Sequence, residues 1–177
     1  MEWIIPILVI ILLLGTYLSW TAGRLDRLHW RVRTSRAVLD AQLLRRSGAA
    51  LDLAGGGLLD PASAVLVADA ASRARTVEED EREQAESDLT EALGAALADP
   101  DHTHSLRSRP GAGAALDELS TACRQASQAR RFHNDTVRAV RRLRHKALVR
   151  WLGLAGHAPL PESVELDDEL PRGLAAG

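Results

Sequence analysis

The sequence predicts an all-α protein in which an N-terminal transmembrane helix is followed by an antiparallel bundle of three to four long helices. Two observations favour helices over strands: apolar residues recur at three- and four-residue spacing, and aromatic residues are scarce. A third is the opening stretch, which carries no formal charge from Trp3 to Trp20. We divide the chain into an anchor at 1–21, a helical bundle at 22–154 and a flexible, acidic, proline-containing tail at 155–177.

The N-terminal apolar run has the length of a membrane-crossing helix. Its eighteen uncharged residues, at 1.5 Å of rise each, span about 27 Å, close to the hydrocarbon thickness of a bilayer. Trp3 and Trp20 suit the two membrane–water interfaces. A cleaved signal peptide is the less favoured alternative, because no basic stretch precedes the run and a bulky tryptophan lies where small residues are needed.

The charges that follow the run predict its orientation. Basic residues near a span are retained on the cytoplasmic side, so we expect an external N-terminus and a cytoplasmic body at the cell membrane. The basic residues concerned are Arg24, Arg27, Arg31, Arg33 and Arg36, opposed only by Asp26.

The first helix of the body is predicted from Ala22 to Ala54, and the three glycines at 55–57 end it. A second helix begins at Asp60-Pro61, because aspartate is a good N-cap and proline suits the first helical position. The apolar stripe of the first helix includes Leu25, Leu28, Val32, Ser35, Leu39, Gln42, Leu43, Arg46 and Ala50; that of the second is Val65, Leu66, Ala70, Ala74 and Val77.

The middle of the chain is strongly acidic. Residues 78–88 form either a solvated piece of helix or a joint between two helices. The apolar pattern then resumes until Asp99-Pro100, which we expect to stop the helix, and residues 100–113 are predicted to form a loop.

The last long helix is predicted from Ala114 to Leu152. Eleven consecutive positions keep the three–four spacing, namely Leu116, Leu119, Cys123, Ala126, Arg130, His133, Val137, Val140, Arg144, Ala147 and Trp151. The prolines and acidic residues after this helix predict a tail that does not bury enough apolar surface to order itself alone.

Two stretches resemble the LemA family of bacterial membrane-anchored helical proteins. The first stretch is similar to that family's post-anchor helix and matches it at Asp40, Gln42, Leu43, Arg45 and Arg46. The second stretch resembles another pattern of the family and matches it at Ala129, Arg130, Phe132, Asn134 and Val137. The ending WLGL…VELDD also parallels the family's close, while His133 stands where the family has tyrosine. The resemblance implies a bundle of four helices on one membrane anchor and no known enzymatic activity.

The sequence offers no set of residues for catalysis, metal or cofactor binding. Asp101-His102-Thr103-His104 lacks the further ligands that structural zinc requires. Cys123 is expected to be a small buried thiol, because no base partner is visible. His133 is expected to be a packed histidine, with a proton switch as the alternative. We therefore expect no enzyme, no cofactor and no metal.

The function predicted from these features is that of a membrane-anchored, non-enzymatic scaffold or adaptor. Its expected partners are the lipid bilayer and other membrane or cytoplasmic proteins; nucleic acid is disfavoured because the net charge is −2. The alternative is a membrane-remodelling module whose basic helix, 138–151, lies on anionic lipid. The expected contact residues are the anchor's Trp3 and Trp20, and, for partner or lipid, Arg45, Arg46, Arg138, Arg141, Arg142, Lys146 and Arg150.

Overall fold

The structure is a computed structural model that describes residues 3–144 and 160–175. Regular structure in those two ranges is helical, which confirms the all-α prediction. The helices are α1 (Ile4–Gly55), α2 (Pro61–Thr76), α3 (Arg82–Ala96), α4 (Pro100–Arg107), α5 (Ala112–Arg144) and α6 (Arg172–Ala175).

The prediction of an N-terminal transmembrane helix at 1–21 is wrong. Among the residues with described coordinates, no helix combines the length and the apolar character needed to cross a bilayer. The apolar run is the first part of α1, a helix of 52 residues whose later part is rich in arginine. The single-pass topology predicted from this run is weakened accordingly.

Two aspartate–proline pairs begin helices in the same way. The carboxylate of Asp60 accepts hydrogen bonds from the backbone N–H groups of Ala62 and Ser63 at the start of α2. Asp99 does the same for the N–H of Asp101 at the start of α4. The start of the second helix is thus confirmed, but the predicted loop at 100–113 contains a helix, because Asp99-Pro100 is an N-cap rather than a stop.

The acidic stretch at 78–88 is divided between a joint and a helix. Helix α2 ends at Thr76 and α3 begins at Arg82, so the joint is confined to residues 77–81. The acidic residues of the joint, 78–81, are exposed.

The described chain divides into two compact units. The first unit is 1–36 with 132–163, and the second is 37–131 with 164–177. In the first unit, Nδ1 of His133 lies 2.9 Å from Oγ of Ser35, and both side chains are buried.

The second unit has a core of leucine and alanine. Helices α2 and α3 pack against each other, and buried residues from α1, α4 and α5 complete the core. Its fully buried leucines include Leu53, Leu89, Leu93, Leu97, Leu116 and Leu119. The predicted stripe of α2 is partly wrong: Val65 and Leu66 are exposed, and Val67, Ala70, Ala71 and Ala74 form the buried face.

Helix α5 follows its predicted spacing closely. The predicted positions from Leu116 to Val140 are buried, apart from the partly exposed Arg130. The described part of α5 ends at Arg144, and the rest of the predicted helix, to Leu152, lies outside the described residues.

The end of the chain differs from the predicted flexible tail. Residues 164–175, which we call the C-terminal segment, lie against the helices of the second unit and place Val164, Leu166, Pro171, Gly173 and Leu174 in buried positions. Contacts with the helices order the segment, and the composition of the segment alone does not reveal those contacts.

Candidate binding groove

The C-terminal segment lies on a surface that we call the docking groove. The groove is formed by Leu39 and Leu43 of α1, Ser87 and Thr90 of α3, Leu97 directly after α3, Thr103 of α4, and Ala126, Ala129 and Arg130 of α5. All of these residues belong to the second unit.

Two apolar side chains hold the beginning of the segment. Val164 and Leu166 are buried in one cluster with Leu39, Leu43, Ala126 and Ala129. Their spacing of two suits an extended chain, whose alternate side chains point to the same side. Glu165 and Asp167, between and after them, are exposed. The alternation therefore turns one face of the segment toward the groove.

An ion pair holds the middle of the segment. Arg130 donates two hydrogen bonds to Asp168, from Nε at 2.8 Å and from Nη2 at 2.9 Å. The side chains of Arg130 and Asp168 are only 21% and 13% exposed. A two-bond arginine–carboxylate contact fixes both distance and orientation, so this pair selects one register of the segment.

The backbone of the segment also bonds to α3. The hydroxyl of Thr90 donates to the carbonyl oxygen of Asp167 at 2.6 Å, and the N–H of Asp167 donates to Oγ of Ser87 at 3.0 Å. Side chains of α3 thus bond to both backbone polar groups of one segment residue, as in a strand pairing with a neighbour.

A glycine brings the end of the segment close to the helices. The N–H of Gly173 donates to the carbonyl oxygen of Leu97 at 3.0 Å. A Cβ on Gly173 would meet that oxygen at 2.7 Å and the Cβ of Thr103 at 2.9 Å, so only glycine fits without movement. The next residue, Leu174, is fully buried in the leucine–alanine core.

A buried ion pair lies beneath the groove. Arg46 of α1 and Glu86 of α3 are each 2% exposed, and Nη2 of Arg46 lies 2.7 Å from Oε2 of Glu86. Arg46 also donates to the Glu86 carbonyl oxygen at 2.6 Å and to the Thr90 hydroxyl at 3.0 Å. Because Thr90 in turn donates to Asp167, a chain of hydrogen bonds joins α1, α3 and the C-terminal segment.

Burial dominates the electrostatics around this pair. Burial raises the pKa of Glu86 above its ordinary value, and the favourable charge of Arg46 offsets only part of that effect. Burial also raises the pKa of the Cys123 thiol. Cys123 is therefore held as the neutral thiol, which is a poor nucleophile.

Open cavities flank the segment on both sides. One, of about 480 Å³, lies toward α3 and is lined by Gln84, Asp88, Glu91, Asp167, Glu169 and Arg172 among others. The other, of about 400 Å³, lies toward α5 and is lined by Cys123, Arg124, Ser127, Gln128, Arg131 and Asp168 among others. The first wall is mainly acidic, whereas the second combines Arg124 and Arg131 with Asp168 and Glu169.

The Asp168 contact predicts a pH dependence of stability. Burial raises the pKa of Asp168, but hydrogen bonds from Arg130 and Ser127 outweigh it, and the pKa lies below its ordinary value. A carboxyl with a depressed folded pKa stabilises the fold above its unfolded pKa, and that contribution is lost as the pH falls through the folded pKa. We expect Asp168→Asn to destabilise the chain at pH 7 and to have little effect at the lowest pH.

Urea unfolding of the native chain and of Asp168→Asn, from pH 7 to pH 3, measures this difference. The difference in free energy of unfolding should shrink as the pH falls below about 4. Glu86 is present in both proteins, so its opposite pH dependence cancels. A difference that stays constant over this range would contradict the assigned pKa direction.

The structure places the predicted contact residues in different surroundings. Arg46 is buried and unavailable to a partner, contrary to its predicted role. Arg45 bonds to Glu118 and Gln125 of α5, Arg138 bonds to Asp135, and Nε of Arg141 donates to the carbonyl oxygen of Pro161. Arg142, Trp3 and Trp20 are exposed.

Two further predicted contacts, Lys146 and Arg150, lie outside the described residues.

Sequence reasoning missed the residues that build the groove. Asp167 and Asp168 were assigned to a flexible tail, and Thr90 and Glu86 were not singled out. A signal was nevertheless present: Val164 and Leu166 alternate with acidic residues, which is the pattern of an extended segment with one buried face.

The described residues hold no group of three or more His, Cys, Asp or Glu side chains placed to bind a metal ion. His102 and His104 are exposed residues of the short helix α4 rather than of a loop. The chain matches no family model, no curated protein and no solved structure. Its resemblance to the LemA family therefore stays a prediction.

Proposed function

We propose that this protein is a non-enzymatic helical scaffold or adaptor that associates with lipid bilayers through the first part of α1. The observation that carries the proposal is a concentration of exposed apolar side chains at the start of that helix. They are Trp3, Ile4, Ile7, Leu8, Val9, Leu12, Leu13, Tyr17 and Trp20.

Lipid is the binding partner that best fits the exposed apolar surface at the start of α1. The exposed residues include Leu8 and Val9, and Leu12 and Leu13, which are adjacent pairs on different sides of the helix. Removing one large apolar side chain from water contributes about 1.5–3 kcal/mol. Contiguous exposed apolar surface of this extent is typical of protein or membrane interaction sites.

The non-enzymatic part of the proposal is supported by the burial of the reactive groups. Ser35 and His133 form a serine–histidine contact, but the Ser35 hydroxyl donates to the Val32 carbonyl oxygen at 2.8 Å. Ser35 and His133 are 1% and 2% exposed, so a substrate does not reach them. Cys123, the only cysteine in the sequence, is a buried neutral thiol.

Liposome flotation of the full chain tests the proposal. We expect the native chain to float with the vesicles, and the double variant Leu8→Asp with Leu12→Asp to bind at least about 100-fold more weakly, since each substitution forfeits about 1.5–3 kcal/mol of apolar burial. The two leucines are 67% and 70% exposed, so their replacement disturbs no packed core.

A matched control uses the exposed apolar pair of α2. Val65 and Leu66 are 68% and 63% exposed, and replacing both by aspartate should leave flotation unchanged. Binding that survives Leu8→Asp with Leu12→Asp and depends on anionic lipid would reject the proposal in favour of the basic-helix alternative. A native chain that stays with the soluble fraction would reject both.

A further inference from the structure

The docking groove has the features of a binding site for an extended acidic peptide. The C-terminal segment fills it with two apolar side chains, a carboxylate and a backbone pair, each of which meets a separate complementary group of the helices. Within the segment, hydrogen bonds link close neighbours, such as the N–H of Leu174 and the carbonyl oxygen of Pro171. The bound form is therefore specified by the groove and not by the segment.

From this we propose that the docking groove accepts the C-terminal segment of a second copy of the chain, so that two copies associate by exchanging residues 164–175. The occupant is argued from the structure itself, because the sequence seated in the groove is the chain's own. Every contact made within one chain forms equally when a second copy supplies the segment, which is the basis of domain swapping.

The length of the connecting chain permits both arrangements. Nineteen residues separate Arg144, the last described residue of α5, from Val164. Fully extended, they reach at most about 60–70 Å, several times the diameter of a helix. Once the contact between Nε of Arg141 and the carbonyl oxygen of Pro161 is released, a connection of that length allows the segment to be supplied by its own chain or by a neighbour.

The balance between the two arrangements depends on local concentration. A segment joined covalently to its own groove meets that groove at an effective concentration of about mM. The closed monomer is therefore favoured in dilute solution, and exchange becomes populated where copies are concentrated or where the internal contact is weakened. This inference does not depend on the proposed association with lipid.

Reversing the charges of the Arg130–Asp168 pair tests the exchange. One variant carries Arg130→Asp and the other carries Asp168→Arg. In each variant alone, the groove and its own segment present like charges at a contact that is 2.8 Å in the native chain. In an equimolar mixture, each groove finds an oppositely charged segment on the other variant.

Size-exclusion chromatography with light scattering gives the outcome for full-length proteins. We expect each variant alone to be a monomer and the mixture to form a dimer with one copy of each. The chain that carries both substitutions should return to a closed monomer. Folded variants that remain monomeric when mixed would overturn the proposal.

A second ion pair supplies the matched control. Arg45 of α1 and Glu118 of α5 are joined at 2.8 Å, and neither belongs to the C-terminal segment. Mixing Arg45→Glu with Glu118→Arg should therefore give no dimer. Dimer formation by this control mixture would show that charge reversal alone, rather than segment exchange, causes association.

A peptide experiment covers the case in which a charge-reversed variant loses its helix content. The native full chain is titrated up to mM concentration into a labelled peptide of residues 160–177, because the chain's own segment competes for the groove, and binding is followed by fluorescence anisotropy. We expect saturable binding, and at least about tenfold weaker binding for a peptide with Asp168→Asn, because the substitution removes the charge from a two-bond contact with Arg130. Equal affinity for both peptides, or binding to neither, would contradict the proposal.

Discussion

Replacing Arg46 by methionine is expected to lower the free energy of unfolding by about 3–5 kcal/mol. The substitution removes the charge that faces Glu86 and leaves that carboxyl 2% exposed without its partner. It also removes a hydrogen bond to Thr90, which holds the backbone of the C-terminal segment. Urea unfolding monitored by circular dichroism measures the loss.

Two further variants separate burial from charge. Arg45→Met removes the neighbouring arginine, whose pair with Glu118 is 43% and 50% exposed, and should cost less than about 1 kcal/mol. The double variant Arg46→Met with Glu86→Leu should recover most of the loss, because it removes the unpaired buried charge. An Arg46→Met chain no less stable than Arg45→Met would refute the assignment of the buried pair.

Replacing Gly173 by alanine is expected to undock the end of the C-terminal segment. The new Cβ would overlap the carbonyl oxygen of Leu97 and the side chain of Thr103, and a backbone oxygen inside a packed unit has little room to move. Overpacking of this kind costs about 1–3 kcal/mol. Limited proteolysis should therefore cleave the segment of Gly173→Ala earlier than that of the native chain.

The control for this variant is a glycine with open space around it. Gly94 lies in α3, and a Cβ there meets nothing within 4 Å. Gly94→Ala should leave the cleavage pattern unchanged and raise the stability by up to about 1 kcal/mol through helix propensity. Equal resistance of Gly173→Ala and the native chain to proteolysis would mean that the segment does not lie as described.

The periodic parts of the fold were predictable from sequence because one stripe sets the buried face. In α5, the residues at three–four spacing from Leu116 to Val140 are buried, apart from the partly exposed Arg130. In α2 the stripe was ambiguous, because Val65, Leu66 and Val67 are consecutive. There the small residues Ala70, Ala71 and Ala74 decide which side packs, and only Val67 shares that side.

Helix boundaries depended on how one motif was interpreted. Asp60-Pro61 and Asp99-Pro100 have the same physical character, yet the second was predicted to end a helix because residues 100–113 are polar. The carboxylate of Asp99 caps α4 in the same manner as that of Asp60 caps α2. The prediction gave the polar composition of residues 100–113 more weight than the capping signal of Asp99-Pro100, although the capping signal was correct.

The docking groove was not predictable because it joins residues that are far apart in sequence. Arg130 and Asp168 are separated by 38 positions and Thr90 and Asp167 by 77. Sequence patterns report local periodicity, and nothing in them pairs a distant carboxylate with a particular arginine. The error on the N-terminal run is different in kind, since composition was taken as sufficient for a transmembrane helix.

Amide hydrogen exchange of the native full chain tests the central claim, that the C-terminal segment is bound in the docking groove. The N–H groups of Asp167, Gly173 and Leu174 are hydrogen-bonded, so we predict that they exchange far more slowly than in a free peptide of residues 160–177. Exchange of these three amides at the free-peptide rate would contradict the account.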